Sequence, residues 1–373
     1  MKIRFNRESL LKQFSSVMTV VPTRSPQPVL KSVRLSGTET GVTLEATDLE
    51  IGIHTTLTGA VVEDPGAVLV PAQSFRQILS ESGAAELTII DTGKGLEVVA
   101  DRAKFKLPSA DVNSYPALRS HVGGVHHELR SGALATLIRQ TSFATDPTSS
   151  RYALAGVAFD LGEANYLTAV ATDGRRLSMS KLPATATGKI EPNRQPIVPD
   201  RALKVIERVL GDPENMVRIS ATENEVFVTG DSFRLSARLV EGRFPKWREV
   251  IPVRQAHRIN VNREQFAAIV RQASIFTSAE SRGIDFTVSG VGDLTARAAS
   301  SDAGEGSAAM PFASELNPDI EVKFSLDGRY VLDYLGVCRA DVIVLDFLDD
   351  NSNSMVRFDD GEWVYLVMPM AKD

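Results

Sequence analysis

A single cysteine, Cys338, stands in a chain of 373 residues, so neither an internal disulfide nor a multi-cysteine metal site can form. It follows "YVLDYLGV", where a small buried thiol is the plain reading. No segment approaches the ~18–20 consecutive apolar residues of a membrane helix. The opening "MKIRFNRESL" lacks the apolar stretch of a signal peptide, and the expectation is a cytoplasmic protein without a membrane partner. Catalytic signatures are equally sparse. The histidines His54, His121, His126, His127 and His257 show no metal-binding spacing. The pairs Asp349–Asp350 and Asp359–Asp360 flank "NSNSMVRF" but do not match a calcium loop. "DTGKGLEV" (91–98) lacks the Gly-x4-Gly-Lys-Ser/Thr pattern of a phosphate loop and the helix that follows one, and reads as a hairpin tip. No serine elbow or Cys–His pair stands out. The expectation is a non-catalytic protein with no cofactor and no metal.

What the chain has is repetition. "MKIRFNRESLLKQFSSVM", "HHELRSGALATLIRQTSFAT" and "HRINVNREQFAAIVRQASIF" open near residues 1, 127 and 257, each a short strand leading into an amphipathic helix. Solenoid units repeat every ~20–50 residues, whereas this spacing is that of a whole domain. The spacing predicts three similar domains, at 1–120, 127–252 and 257–373, joined by short polar connectors around 119–126 and 252–257. Three like domains in a row suggest a scaffold defined by geometry.

Each repeat reads as two copies of one helix-plus-antiparallel-sheet motif, an α+β fold. In repeat one Leu10, Leu11, Phe14, Val17 and Met18 share a helical face after the capping residue Asn6. Leu134, Leu137 and Ile138 take that role in repeat two, and Phe266, Ile269, Val270 and Ala273 in repeat three, where Asn262 and Gln265 have capping-box spacing. The second halves restart with "VLVP", "PIVP" and "EVKFSL" before helices carrying Phe75, Ile78 and Leu79; Leu203, Ile206 and Leu210; and Val331, Leu332 and Leu335. Alternating runs broken by Gly, Asn and Thr follow each helix and predict antiparallel meanders, giving six helices and six small sheets.

The net charge of −6 conceals a bias, because the six helices carry ten basic and seven acidic residues. That +3 is compatible with ordinary solvated helix faces, and equally with a modestly basic surface facing a phosphate backbone. "ATDLE" (46–50) and "ATDGRRL" (171–177) occupy equivalent hairpins, while repeat three has only "ARAASSD" there. The terminal "EWVYLVMPMAKD" is a strand with a soft apolar end suited to variable apolar partners.

Taken together, "MKIRFNRESLLK", "ATDLE", "KFKLPSADVNSYPAL", "RYALAGVAFD", "VATDGRRLSMS", "EGRFPKWREVIP" and "VMPM" closely resemble the bacterial DNA polymerase III beta-subunit family, the replicative sliding clamps. The resemblance spans the chain. It implies a head-to-tail homodimer closed into a ring, with helices lining the hole, sheets outside and duplex DNA threaded without sequence preference. The partners it implies are the DNA polymerase III alpha subunit, the clamp loader, and other polymerases and repair proteins that insert short peptides.

By motif matching, the resemblance puts the peptide pocket at Leu154, Thr172, Gly174, Arg176, Leu177, Pro245, Val250, Ser354, Leu366, Met368, Pro369 and Met370. It implies DNA contacts from Arg24, Lys12, Arg139, Thr148, Arg151 and Arg271. Phe105 and Leu107 would meet Ile275 and Phe276 of a second copy. Two places depart from the family pattern: Ala371, Lys372 and Asp373 follow Met370, and Glu249 stands where a basic residue is common. Two further readings are a repeat-built interaction scaffold that does not encircle DNA, and a nucleic-acid-processing enzyme.

Overall fold

The computed structural model describes residues 1–120, 124–192, 194–252, 256–278, 282–347, 356–359 and 362–370. His121, Asp349, Asp350, Asp360, Ser354 and the tail Ala371–Asp373 therefore lie outside the described residues. Six α-helices occur among those described: α1 (Arg7–Val17), α2 (Ala72–Glu81), α3 (Ser131–Ser142), α4 (Asp200–Val209), α5 (Arg263–Ser274) and α6 (Gly328–Val337).

Their ends follow from the sequence. Asn6 Oδ1 accepts the Ser9 amide at 3.0 Å, and Asn262 Oδ1 accepts that of Gln265 at 3.0 Å, each satisfying a backbone donor that the first helical turn leaves open. Each helix buries one stripe. α1 sinks Leu10, Phe14 and Val17, α2 sinks Phe75 and Leu79, and α5 sinks Phe266, Ile269, Val270 and Ala273. Cys338, one residue past α6, is buried as expected.

The strands form four sheets among the described residues, where the sequence predicts six. The six half-sheets are all present, but two pairs have fused. Phe233–Arg238 of the second repeat pairs antiparallel with Ile51–Leu57 of the first, making one nine-stranded sheet. Likewise Arg176–Pro183 pairs with Trp363–Val367, making an eight-stranded sheet from the second and third repeats. A five-stranded and a four-stranded sheet complete the set. The fusions were hidden because each satisfies strand edges whose partners lie far along the chain.

This pairing divides the chain into two compact units: residues 1–135, 184–190 and 201–239 in the first, and 136–183, 191–200 and 240–373 in the second. In the second, Trp363 lies fully buried and donates Nε1 to Ser178 Oγ at 2.8 Å across the fused strands. Tyr334 and Tyr365 stack beside it with ring centroids 5.3 Å apart.

In the first unit Tyr115 anchors the strand ladder. Its hydroxyl donates to the Ser32 carbonyl at 3.2 Å and accepts from the Thr47 amide at 3.2 Å. Burial pushes this phenol up to about 12. A neutral buried phenol stabilises the fold below its ordinary value of about 10, and that contribution disappears as pH rises through the folded-state value. Tyr115→Phe should therefore lower the melting temperature at neutral pH, through loss of a net ~1 kcal/mol of hydrogen bonding. It should also flatten part of the alkaline decline between pH 10 and about 12. Parallel melting curves for the two proteins across that range would show that Tyr115 does not titrate with unfolding.

Candidate functional site

The residues that the resemblance assigns to a peptide pocket, apart from Ser354, all belong to the second unit. Strand register brings two of them side by side: Leu177 opposes Leu366, with Arg176 against Val367. Both leucines are buried in an apolar cluster with Ala158, Val170, Ile197, Phe244, Trp247 and Val364. The chain then leaves the strand along the hairpin, where the Met368 amide donates to the Arg175 carbonyl at 2.9 Å and that of Met370 to Ser325 at 2.8 Å. Met368 and Val250 are exposed, at 43% and 39%, so apolar surface continues outward from the buried floor. Such a floor with an open apolar rim suits a short peptide anchored by aliphatic and aromatic side chains.

Thr172 and Gly174 shape the hairpin between these strands. Thr172 Oγ1 donates to the Arg176 carbonyl and accepts the Gly174 amide at 3.0 Å. Gly174 has φ +89°, a conformation that costs glycine little. Pro245 is exposed beside the short turn Trp247–Glu249, and Pro369 is half-buried. Leu154 is buried at the end of the 146–154 loop, its carbonyl accepting from Asp146 at 2.8 Å. Glu249 forms an exposed pair with Lys246 at 2.9 Å, a contact of little energetic weight. Sequence reasoning passed over Phe244 and Trp247, although both stand in the quoted "EGRFPKWREVIP". Two aromatics in one polar loop were the available signal. Trp247 is also a buried side chain whose Nε1 makes no hydrogen bond among the described residues.

Arg176 holds the hairpin in place. Its guanidinium donates from Nε to Asp173 Oδ2 at 2.9 Å and from its two terminal nitrogens to Asp333 Oδ2 at 2.6 Å and the Phe143 carbonyl at 2.7 Å. It also lies 4.3 Å from the Tyr330 ring centroid. Burial alone would pull this group down. Its interactions with Tyr365, Asp333 and Asp173 more than offset that and hold the guanidinium above its ordinary value. A hairpin of the second repeat is thereby fastened to α6 of the third.

The predicted DNA contacts fall on exposed positions. Lys12 lies on α1 and Arg24 in the loop after it; Arg139 lies on α3, Thr148 and Arg151 on the 146–154 loop, and Arg271 on α5. Thr148 is held by Asp146, which accepts its amide at 3.0 Å and its hydroxyl at 2.8 Å. In the first unit, a cleft of about 550 Å³ opens beside the chain leading to Arg24, bordered by Met18, Pro22, Thr23, Lys31, Arg76 and Arg208. None of its three cations has an acidic partner among the described residues, in a chain where many arginines are paired. Uncompensated cations around one cleft favour an anionic occupant. Lys31 escaped the sequence reading because it lies off the six helices.

Phe105 and Leu107 are half-buried on Ala103–Leu107, an edge strand of the five-stranded sheet. A recess of about 520 Å³ beside Phe105 is bordered by Gln77, Ile78, Glu81, Ala100, Asp101 and Arg102. In the second unit Ile275 is 68% exposed, and the Phe276 ring packs against Gly306 on the edge strand Gly304–Pro311.

Family models described as the N-terminal, central and C-terminal domains of the DNA polymerase III beta subunit match residues 1–119, 128–246 and 248–371. A beta sliding clamp from Pseudomonas putida is 30% identical over 99% of this chain and all of its own length. One from Chlamydia pneumoniae is 28% identical over 99% of each chain. The crystal structure of the DNA polymerase III subunit beta from Pseudomonas aeruginosa is similar at a TM-score of 0.91, with 28% identity and full coverage of both chains.

The Arg176 geometry gives a direct stability test. Arg176→Ala should cost about 2–4 kcal/mol in urea unfolding, because two carboxylates and a carbonyl lose a shared donor. Arg176→Lys should restore less than half, since an ammonium cannot span three acceptors. A loss below about 0.5 kcal/mol for the alanine variant would demote this contact to an exposed ion pair.

Proposed function

This chain belongs to the DNA polymerase III beta-subunit family, the beta sliding clamps, and from that membership we propose how its own residues carry out the clamp's work. It is a DNA sliding clamp and a processivity factor, not an enzyme. In our reading three domains, 1–120, 127–252 and 257–373, make half of a ring. Two copies associate head to tail around duplex DNA in the cytoplasm. No described helix is long and apolar enough to cross a membrane.

The observation that carries this reading is the contrast between two kinds of surface. Lys12 and Arg24 in the first unit, and Arg151 and Arg271 in the second, are exposed cations without acidic partners among the described residues, and the first unit also holds the Lys31–Arg76–Arg208 cleft. Phosphate contacts of this kind are screened and carry no sequence information, so a ring held by them can slide. Arg139 and Thr148 extend the same set. The apolar groove of Leu177, Leu366, Val250, Met368 and Met370 instead suits short peptides from the polymerase alpha subunit, the clamp loader, and other polymerases and repair proteins.

Ring closure follows from a heterologous interface whose rotation closes. Ala103–Leu107 and Gly304–Pro311 are both edge strands, and edges exposed in a lone chain invite pairing. In the proposed dimer Phe105 and Leu107 of one copy meet Ile275 and Phe276 of the other, with the recess beside Phe105 receiving apolar side chains.

Clamp loaded on circular DNA should remain bound and be released when the circle is cut; equal loss from both forms would remove the topological reading. Arg24→Ala should weaken binding across all sequences and lower the salt slope by about one. Met370→Ala should weaken a partner peptide and leave DNA retention intact. Should both variants impair both activities alike, the two surfaces are not separate. A stable monomer in sedimentation, unable to support processive synthesis, would instead favour a non-encircling scaffold.

A further inference from the structure

The hairpin of the first repeat shares five hydrogen bonds with the groove hairpin. Thr47 Oγ1 donates to the Ile51 carbonyl at 2.9 Å and accepts the Leu49 amide at 2.9 Å, as Thr172 does for Arg176 and Gly174. Asp48 Oδ1 accepts the Glu50 and Ile51 amides at 3.0 and 2.7 Å, where Asp173 Oδ1 accepts those of Arg175 and Arg176 at 2.9 and 3.0 Å. The strand opposite also agrees: Arg238 donates to the Glu50 carbonyl at 2.9 Å, and Met368 to that of Arg175 at 2.9 Å. The first unit therefore contains a structural counterpart of the peptide groove.

Its floor is chemically different. Register places Gly52 opposite Ser236 where the groove has Leu177 opposite Leu366. Where the groove has two leucines this seam has glycine and serine, with Leu118 Cδ2 packed 3.1 Å from where a Gly52 side chain would begin, and a cavity of about 90 Å³ remains, walled by Glu45, His54, Leu118, Arg119, Ser120 and Arg234. That is room for a few atoms, given ~30 Å³ per water in the liquid. An apolar peptide anchor has neither the space nor the surface it needs there.

The wall's acceptors are occupied. Glu45 is engaged by His54 at 3.0 Å and Arg34 at 3.3 Å, and the His54 hydrogen bond chiefly holds its carboxyl below the ordinary carboxylate range. Arg119 is paired with Glu225. Arg234 has no acidic partner among the described residues, and Ser120 and Ser236 add hydroxyls. The unspent capacity is mostly donor, around an opening with a guanidinium fork. Glu45 in the wall would repel a dianion more than a monoanion.

We propose that this cavity at the first repeat junction is a second docking site, which takes the carboxylate of an acidic side chain on a partner peptide. It goes beyond the peptide groove and does not depend on the assignment of that groove. Arg234 is the fork that receives the carboxylate, in the hollow that Gly52, Ser236 and Leu118 border.

Fluorescein-labelled hexaglutamate, titrated with the full-length protein at about 50 mM salt, tests this by polarisation. The expected result is saturable binding, weakened at least about five-fold by Arg234→Gln. Lys94→Gln, which removes an equal charge from an exposed hairpin tip of the same unit, should change it by less than about 1.5-fold. Equal weakening by both variants would reduce the effect to diffuse attraction and overturn the proposal, as would hexaglutamine binding as well as hexaglutamate. Inorganic phosphate displacing the probe at lower concentration than acetate would overturn the carboxylate assignment in favour of a phosphate. Failure in any arm leaves the Met370 peptide test untouched, so the two readings stand or fall separately.

Discussion

Antiparallel pairing between strands of different repeats is the constraint on which the rest depends. Arg176–Pro183 bonded to Trp363–Val367, and Phe233–Arg238 bonded to Ile51–Leu57, join half-sheets that would each end in an exposed edge. The pairings also fix what stands at the seams. A one-residue slip would turn every side chain to the opposite face, removing Leu177 and Leu366 from the groove floor and the Trp363–Ser178 bond from the core. Site geometry is here a by-product of register.

Conserved backbone and divergent floors explain how one fold yields different surfaces. At both seams a threonine and an aspartate close the same hairpin, and the same strand amide caps it. These bonds are made by main chain and short side chains, so they leave the opposing pair free to vary. Leu177–Leu366 lies buried in an apolar cluster; Gly52–Ser236 borders a small polar hollow.

Much of this was legible because it is local. The caps at Asn6 and Asn262 and the stripe Leu10, Phe14, Val17 need only sequence neighbours to be recognised. The hairpins around Thr172 and the apolar tail at Met368–Met370 were legible too. The sheet fusions were not, since Ser178 and Trp363 are 185 positions apart and nothing in either segment names the other. Trp247 stands in a loop with a second aromatic and Lys31 lies off the six helices, and neither was singled out. Each gains meaning only from what the fold sets beside it: an apolar cluster for Trp247, two arginines for Lys31. Arg176 comes to notice through resemblance, while its three acceptors lie on three segments that only the fold brings together.

The single buried cysteine has a practical consequence. With Cys338 enclosed beyond α6 at 2% exposure, the folded chain presents no reactive thiol of its own. Leu49, 40% exposed, already bears a side chain at φ +79°, the turn position filled by Gly174 in the other hairpin. A cysteine introduced there would ask nothing new of the backbone and would be the one accessible attachment point. A dye or spin label at that position would sit on the hairpin of the first seam, where arrivals and departures of ligands become visible one molecule at a time.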